Sequence, residues 1–168
     1  MKYLIDGINE AMNHLEHETT AELISQGHKG TGGLINSFKR RTFMSGQMFV
    51  SEMEMRTYGI ILDKGIKPNR IPFGGKRGRG GRSKYIQGLL KFVRSKGMPD
   101  SAAFAIANKQ KQEGNPTRGS RRFSRTGKRR GWLTIPLSRE QAAVDKIIAD
   151  ATEKQIFADI DRIVQKAK

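Results

Sequence analysis

The chain has 168 residues, the usual length of one domain, and it carries 32 Lys and Arg against 16 Asp and Glu, for a formal net charge of +16. Only 36% of the residues are hydrophobic and none is cysteine, which excludes disulfides, Cys-based zinc sites, iron–sulfur clusters and a thiol nucleophile. A charge excess of this size predicts a polyanionic or acidic partner rather than a generic enzyme.

The beginning of the chain predicts a helix followed by a β-hairpin. Apolar residues at helical spacing from Leu4 to Leu23 indicate an amphipathic helix that ends before a cluster of glycines. Residues 34–56 are rich in strand formers on both sides of a Ser45-Gly46 turn, which is typical of a hairpin. We expect the hairpin methionines at 44, 48, 53 and 55 to fill a core, the alternative being a flexible interaction surface.

Further elements follow from local patterns. The apolar run at 58–65 is either a buried strand or a short helix. Asp63 within it is a candidate buried polar group, but we expect it to cap the turn before Gly65. A helix is predicted over 83–97, with Ser83 as the N-cap and a glycine as the stop, and a second helix over 99–113.

The last third of the chain predicts a strand and a long helix. Residues 132–137 alternate and are rich in β-branched residues, which predicts a strand that Pro136 ends or places at an edge. A helix from Ser138 to about Lys166 then carries one apolar stripe. The stripe comprises Val144, Ile147, Ile148, Ala151, Ile156, Phe157, Ile160 and Val164. The order α-β-β-α-α-β-α describes an α+β domain with a small antiparallel sheet packed by helices, and we treat residues 1–168 as a single domain.

The positive charge is concentrated in one part of the chain. Residues 64–130 contain twenty basic side chains against two acidic ones, whereas the regions on either side are acidic or close to neutral. Two segments of this block lack hydrophobic periodicity, and we call residues 74–82 the first arm and residues 115–131 the second arm. Both are predicted to be extended loops that become ordered on a partner. Their candidate partner-binding residues are Lys76, Arg77, Arg79, Arg82, Arg118, Arg121, Arg122, Arg125, Lys128, Arg129 and Arg130.

Catalytic, cofactor and membrane signals are weak. His14, His17 and Glu18 share a helix face, but a solvated surface explains them better than a metal site. The glycines near Lys76 do not match a phosphate-binding loop, and no serine lies in a nucleophile-elbow motif. We therefore expect no enzyme activity, no cofactor and no small-molecule substrate. No apolar run reaches the roughly 20 residues of a membrane span and the start does not resemble a signal peptide, so we expect neither a membrane contact nor export.

The middle of the chain resembles a known family. The segments TGGLINSF (31–38), YGIILDKGIKPNRIPF (58–73), SKYIQGLLKFVRSKGM (83–98) and AAFAIANKQKQEGNPTRG (102–119), followed by a long final helix, resemble the tail-completion proteins of tailed bacteriophages. The similarity covers about residues 30–165 and is greatest to phages of Bacteroidetes, including the crAss-like group. It rests on the order of elements and on non-catalytic motifs such as Tyr-Gly…Asp-x-Gly-x-x-Pro.

The resemblance implies a structural virion protein of the neck. Such a subunit would form a six- or twelvefold ring that joins the portal or connector to the tail, with other neck, portal and tail proteins as neighbours and with non-specific contact to phage DNA open. It would be made in the host cytoplasm and end in the virion. The arms are longer and more basic than the family pattern. A ribosome-like or nucleoid RNA- or DNA-binding protein is the alternative that the charge equally permits.

Overall fold

The computed structural model describes residues 1–28, 32–73 and 83–167 of the chain. The fold is α+β, as predicted, with long helices at both ends and one two-stranded antiparallel sheet among the described residues. Its helices and strands are α1 Lys2–Ser25, β1 Lys39–Ser45, β2 Met48–Glu54, α2 Tyr58–Lys64, α3 Lys84–Ser95, α4 Ser101–Glu113, α5 Thr134–Arg139 and α6 Gln141–Lys166, with short 3-10 helices at Ile35–Ser37, Pro68–Arg70 and Arg118–Phe123. No helix of the described residues is both long enough and apolar enough to cross a membrane.

The first and last helices pack antiparallel along each other. Gly7 of α1 lies so close to Ala151 of α6 that a Cβ atom on Gly7 would overlap the Ala151 side chain. At one end of this contact, His14 Nε2 lies 2.9 Å from Glu140 Oε2. At the other end, the backbone N–H of Tyr3 donates to Gln155 Oε1 at 3.1 Å, which satisfies one of the free N–H groups of the first turn of α1.

The predicted hairpin is confirmed. Ser45 pairs with Met48 across a two-residue turn, and Gly46 has a φ of +61°, as the first central residue of a type II′ turn requires. The interpretation of its methionines as core is wrong for two of the four, because Met44 and Met48 lie at the exposed tip, whereas Met55 packs on buried residues.

The buried apolar residues form two clusters. The first joins α3 to α4 through Ile86, Leu90, Val93, Ala103 and Ala107. The predicted N-cap of α3 is confirmed, since Ser83 Oγ accepts from the Ile86 N–H at 3.3 Å. The second cluster joins the end of α1 to α2 through Leu23, Leu34 and Trp132, all of which are buried. The run at 58–65, for which strand and helix were both open, is the helix α2.

The strand predicted over residues 132–137 is wrong, because Thr134–Arg139 form helix α5. Asp63 is buried, and its Oδ1 accepts the N–H groups of Leu133 and Thr134 at 2.8 and 3.2 Å. The carboxylate thus caps the start of α5, and not the turn before Gly65 that the sequence indicated.

The predicted start of the last helix is also wrong. Ser138 lies inside α5, and α6 begins after Glu140. The stripe predicted along it is divided between two sides. Val144, Ile147, Ile148 and Ala151 are buried or half-buried, whereas Ile156, Phe157, Ile160 and Val164 are exposed.

Candidate functional site

The second arm is anchored at its beginning to the end of α2. The backbone groups of Asn115 and Ile66 exchange two hydrogen bonds, of 2.7 and 2.9 Å. Just before them, Gly114 has a φ of +83° and lies so close to the Ile66 carbonyl that any side chain would overlap it. This close backbone pairing fixes where the arm leaves α4.

The end of the second arm is anchored to the second cluster. The Gly131 N–H donates to the Asp63 carbonyl at 2.9 Å, and Trp132 follows directly. The indole of Trp132 is fully buried, donates to the Gly59 carbonyl at 3.1 Å and stacks on Phe38 with the ring centroids 6.1 Å apart. The arm is therefore held in place at both ends.

The middle of the arm is bound to the C-terminal end of α1. The Arg125 N–H donates to the Ser25 carbonyl at 2.8 Å, and the buried Gln26 side chain donates to the Arg130 carbonyl at 3.0 Å. Residues 115–131 thus differ from the extended loop expected: they include the 3-10 helix at Arg118–Phe123 and fold back on the protein, because α1 supplies partners for their backbone.

His28 makes a two-point contact with Arg129. The Arg129 Nη2 lies 3.4 Å from His28 Nδ1, and His28 Nε2 lies 3.3 Å from the Arg129 carbonyl. Because a guanidinium can only donate, Nδ1 must accept and the ring proton must lie on Nε2. Burial, and then the charge of Arg129, lower the pKa of His28, which keeps the ring neutral in this contact.

Most cations of the second arm face solvent. Arg118, Arg121, Arg122, Arg125, Lys128 and Arg130 are exposed and Arg129 is half-buried, and none of the seven forms an ion pair within 4 Å among the residues that the structure describes. Phe123 is exposed beside them, with the Arg122 guanidinium 4.8 Å from its ring centroid. Their charges are available to a partner.

Five of these cations line one pocket of about 430 Å³, and they are Arg118, Arg121, Lys128, Arg129 and Arg130. Its one lining carboxylate, Glu113, lies 2.8 Å from Lys109 Nζ and accepts the Arg118 N–H at 2.8 Å. The hydrogen bond from Lys109 is the larger cause that lowers the pKa of Glu113 and keeps it ionised. Burial lowers the pKa of Arg129, whose Nε is buried without a hydrogen-bond partner in the described part of the chain. This arrangement suits the oxygens of a carboxylate or a phosphate.

The structure brings together five of the eleven predicted site residues. Arg122 and Arg125 belong to the same arm but do not line the pocket. Lys76, Arg77, Arg79 and Arg82 lie outside the described residues. Sequence reasoning missed Glu113, Gln26 and His28, and no local signal could have found the last two, because they meet residues about a hundred positions away.

The histidine helix face is engaged in surface contacts. His14 lies against Glu140, and Glu18 pairs with Arg139 at 2.7 Å. Within residues 1–28, 32–73 and 83–167, no group of three His, Asp or Glu is placed to hold a metal ion.

Comparison with known proteins identifies no matching family model, no similar curated protein and no similar solved structure.

Proposed function

We propose that the chain is a structural subunit of the neck of a tailed phage, which joins a ring and binds acidic surfaces of neighbouring proteins through its second arm. The observation that carries this proposal is the set of exposed cations that form no ion pair with another described residue, on a segment held at both ends. A rigid arm of this kind loses little conformational entropy when a partner binds. The resemblance to tail-completion proteins is the basis for placing the chain in the neck. The exposed cations of the second arm are the basis for its binding to neighbouring proteins.

The aromatic residues of the site favour an acidic protein over a single-stranded nucleic acid. A pocket lined by four arginines fits the planar, bidentate pairing of guanidinium with a carboxylate or a phosphate, so the arginines alone do not distinguish the two partners. Single-stranded nucleic acids are usually bound by several exposed aromatic rings, but Trp132 is buried and Phe123 is the only aromatic residue of the arm. Binding of the phosphates of a nucleic-acid duplex is the competing function, because it requires only the positive charges of the arm.

The experiment compares two variants that lose the same charge. One carries Arg118→Gln, Arg121→Gln and Lys128→Gln in the pocket; the control carries Lys2→Gln, Lys146→Gln and Lys154→Gln on the exposed sides of α1 and α6. The probes are polyglutamate and a 30-base-pair DNA duplex at several salt concentrations. We expect the pocket variant to bind polyglutamate about tenfold more weakly, since three exposed ion pairs of roughly 0.5 kcal/mol each amount to about 1.5 kcal/mol, and the control to change little.

Two outcomes would contradict parts of the proposal. Unchanged polyglutamate binding together with weakened DNA binding and a shallower salt dependence would favour the nucleic-acid function. For the ring, electron microscopy and mass measurement of the chain alone and with the connector of the same phage are required. A monomer under both conditions would refute ring assembly.

A further inference from the structure

The last part of α6 extends beyond the helix on which the rest of α6 packs. Because Gln155 contacts the N–H of Tyr3 and α1 begins at Lys2, residues 156–166 continue past the start of α1. These eleven residues of α6, which we call the tail, are about 16 Å long at 1.5 Å per residue. The tail therefore has no packing partner on α1.

The tail nevertheless carries an apolar stripe. Its members are Ile156, Phe157, Ile160, Ile163 and Val164, which are between 49% and 64% exposed. At about 100° per residue they occupy an arc of about 120°, and Ala151 and Gln155, which face α1, fall on the opposite side of the helix. The stripe is thus a separate apolar face, and a helix with two apolar faces requires two partners.

Acidic residues border the stripe. Glu153 lies one turn before it on the same side, and Asp161 lies at one edge; both are exposed. Asp159, at the other edge, is held by Arg162 at 3.0 Å and by Gln155 at 3.1 Å. A complementary surface would be apolar and basic.

Helix α2 presents such a surface. Ile60 and Ile61 are 45% and 44% exposed, and Lys64 lies one turn further along the same side of the helix. The exposed Arg56 precedes the helix. We propose that the tail of one copy docks on the Ile60–Ile61 face of α2 in a second copy. The two surfaces differ, so the contact is head to tail, the kind that closes a ring or extends a filament.

The size of the tail explains how this contact would behave. Stable pairs usually bury about 800 Å² on each partner, and five side chains on three helical turns provide less than that. An isolated pair would therefore be weak. In a closed ring each copy makes two such contacts and cannot leave without breaking both, so association would depend steeply on concentration. This inference rests on the proposed function only in that the copies form a ring. It does not depend on what the second arm binds.

The test uses the absence of cysteine from the chain. Ile160→Cys and Ile61→Cys are made as separate single variants, mixed and oxidised, so that every disulfide between them joins two copies. We expect at least tenfold more covalent dimer in this mixture than in a control mixture of Ile160→Cys with Phe92→Cys, which places the thiol at an equally exposed apolar position on α3. Equal yields in the two mixtures would overturn the proposal. If Ile160→Cys alone forms as much covalent dimer as the mixture with Ile61→Cys, the tails pair with each other, and this result would also overturn the proposal.

A second variant tests the same contact without covalent chemistry. Ile160→Asp and Ile163→Asp replace exposed residues, so the helical circular dichroism should be retained. In sedimentation velocity between 10 and 200 µM, we expect the unaltered chain to associate and this variant to stay monomeric. Association of both to the same extent, or of neither, would refute the docking. Loss of association in this variant with polyglutamate binding intact would leave the arm's function standing. Association of the unaltered chain without polyglutamate binding would refute the arm's function and leave the docking standing.

Discussion

The contact between Gly7 and Ala151 permits a quantitative test of the packing of α1 on α6. A methyl group on Gly7 would overlap the Ala151 side chain, so Gly7→Ala must push the two helices apart. Such overpacking costs roughly 1–3 kcal/mol, which a gain of about 1 kcal/mol in helix propensity offsets in part. The matched control is Gly88→Ala in α3, because Gly88 is exposed and, apart from its chain neighbours and the backbone of its own helix, no described atom lies within 4 Å of the added methyl group.

We therefore expect Gly88→Ala to raise the free energy of unfolding by about 1 kcal/mol. The free energy of unfolding of the Gly7→Ala variant should be about 1–3 kcal/mol lower than that of the Gly88→Ala variant. Ala151→Gly should relieve the overlap, so that in the double variant with Gly7→Ala the two propensity changes cancel and stability returns close to its original value. The assay is urea denaturation followed by circular dichroism at 222 nm. If Gly7→Ala stabilises the protein as much as Gly88→Ala does, or if Ala151→Gly has the same effect in both backgrounds, the helices do not meet at this point.

Three further predictions concern the groups that hold the second arm. Trp132→Phe removes the hydrogen bond to Gly59 and leaves a void, so we expect a loss of about 2 kcal/mol in urea denaturation, and an unchanged midpoint would contradict the burial of this ring. Asp63→Ala removes the cap of α5 and should cost about 1–2 kcal/mol in thermal unfolding, whereas Asp63→Asn, which keeps an acceptor oxygen, should cost less. The lowered pKa of His28, caused first by burial and then by Arg129, means that the unfolded chain takes up the proton more readily; stability should fall as the pH drops below about 6.5 and level off below the folded-state pKa. His28→Gln should flatten this dependence between pH 7.5 and 5, and an identical slope in the variant would exclude His28 as its origin.

Local patterns determined most of the helices but not the end of the chain. Ser83 and the apolar spacing that follows it define α3, because its cap and stop lie within the segment itself. Helix α5 was missed since its sequence alternates like a strand and contains Pro136. Proline is tolerated in the first turn of a helix, and the cap that starts this one comes from Asp63, seventy residues earlier. Only the tertiary fold supplies that partner.

The cationic residues of the site could be predicted from composition, but their arrangement could not. Charge and glycine content led to the prediction that the second arm binds a partner. Its fold depends on Gln26 and His28, which bond to it from about a hundred residues away, so the sequence around the arm predicted an extended loop that becomes ordered only on another molecule. The same reasoning explains the tail of α6, whose apolar residues seemed continuous with those that face α1 until the length of α1 was known.

The two clusters of buried residues also have a consequence for cooperativity. Helices α3 and α4 share one cluster, the end of α1 and helix α2 share the other, and the paired backbones of Ile66 and Asn115 lie where the two regions meet. Regions with separate cores open with separate free energies, so amide exchange should distinguish them. The pocket includes Arg118, whose backbone N–H is held by Glu113 at the end of α4, and Arg129, which contacts His28 just after α1. An anion bound by both arginines would link the two regions, so that they would unfold more cooperatively.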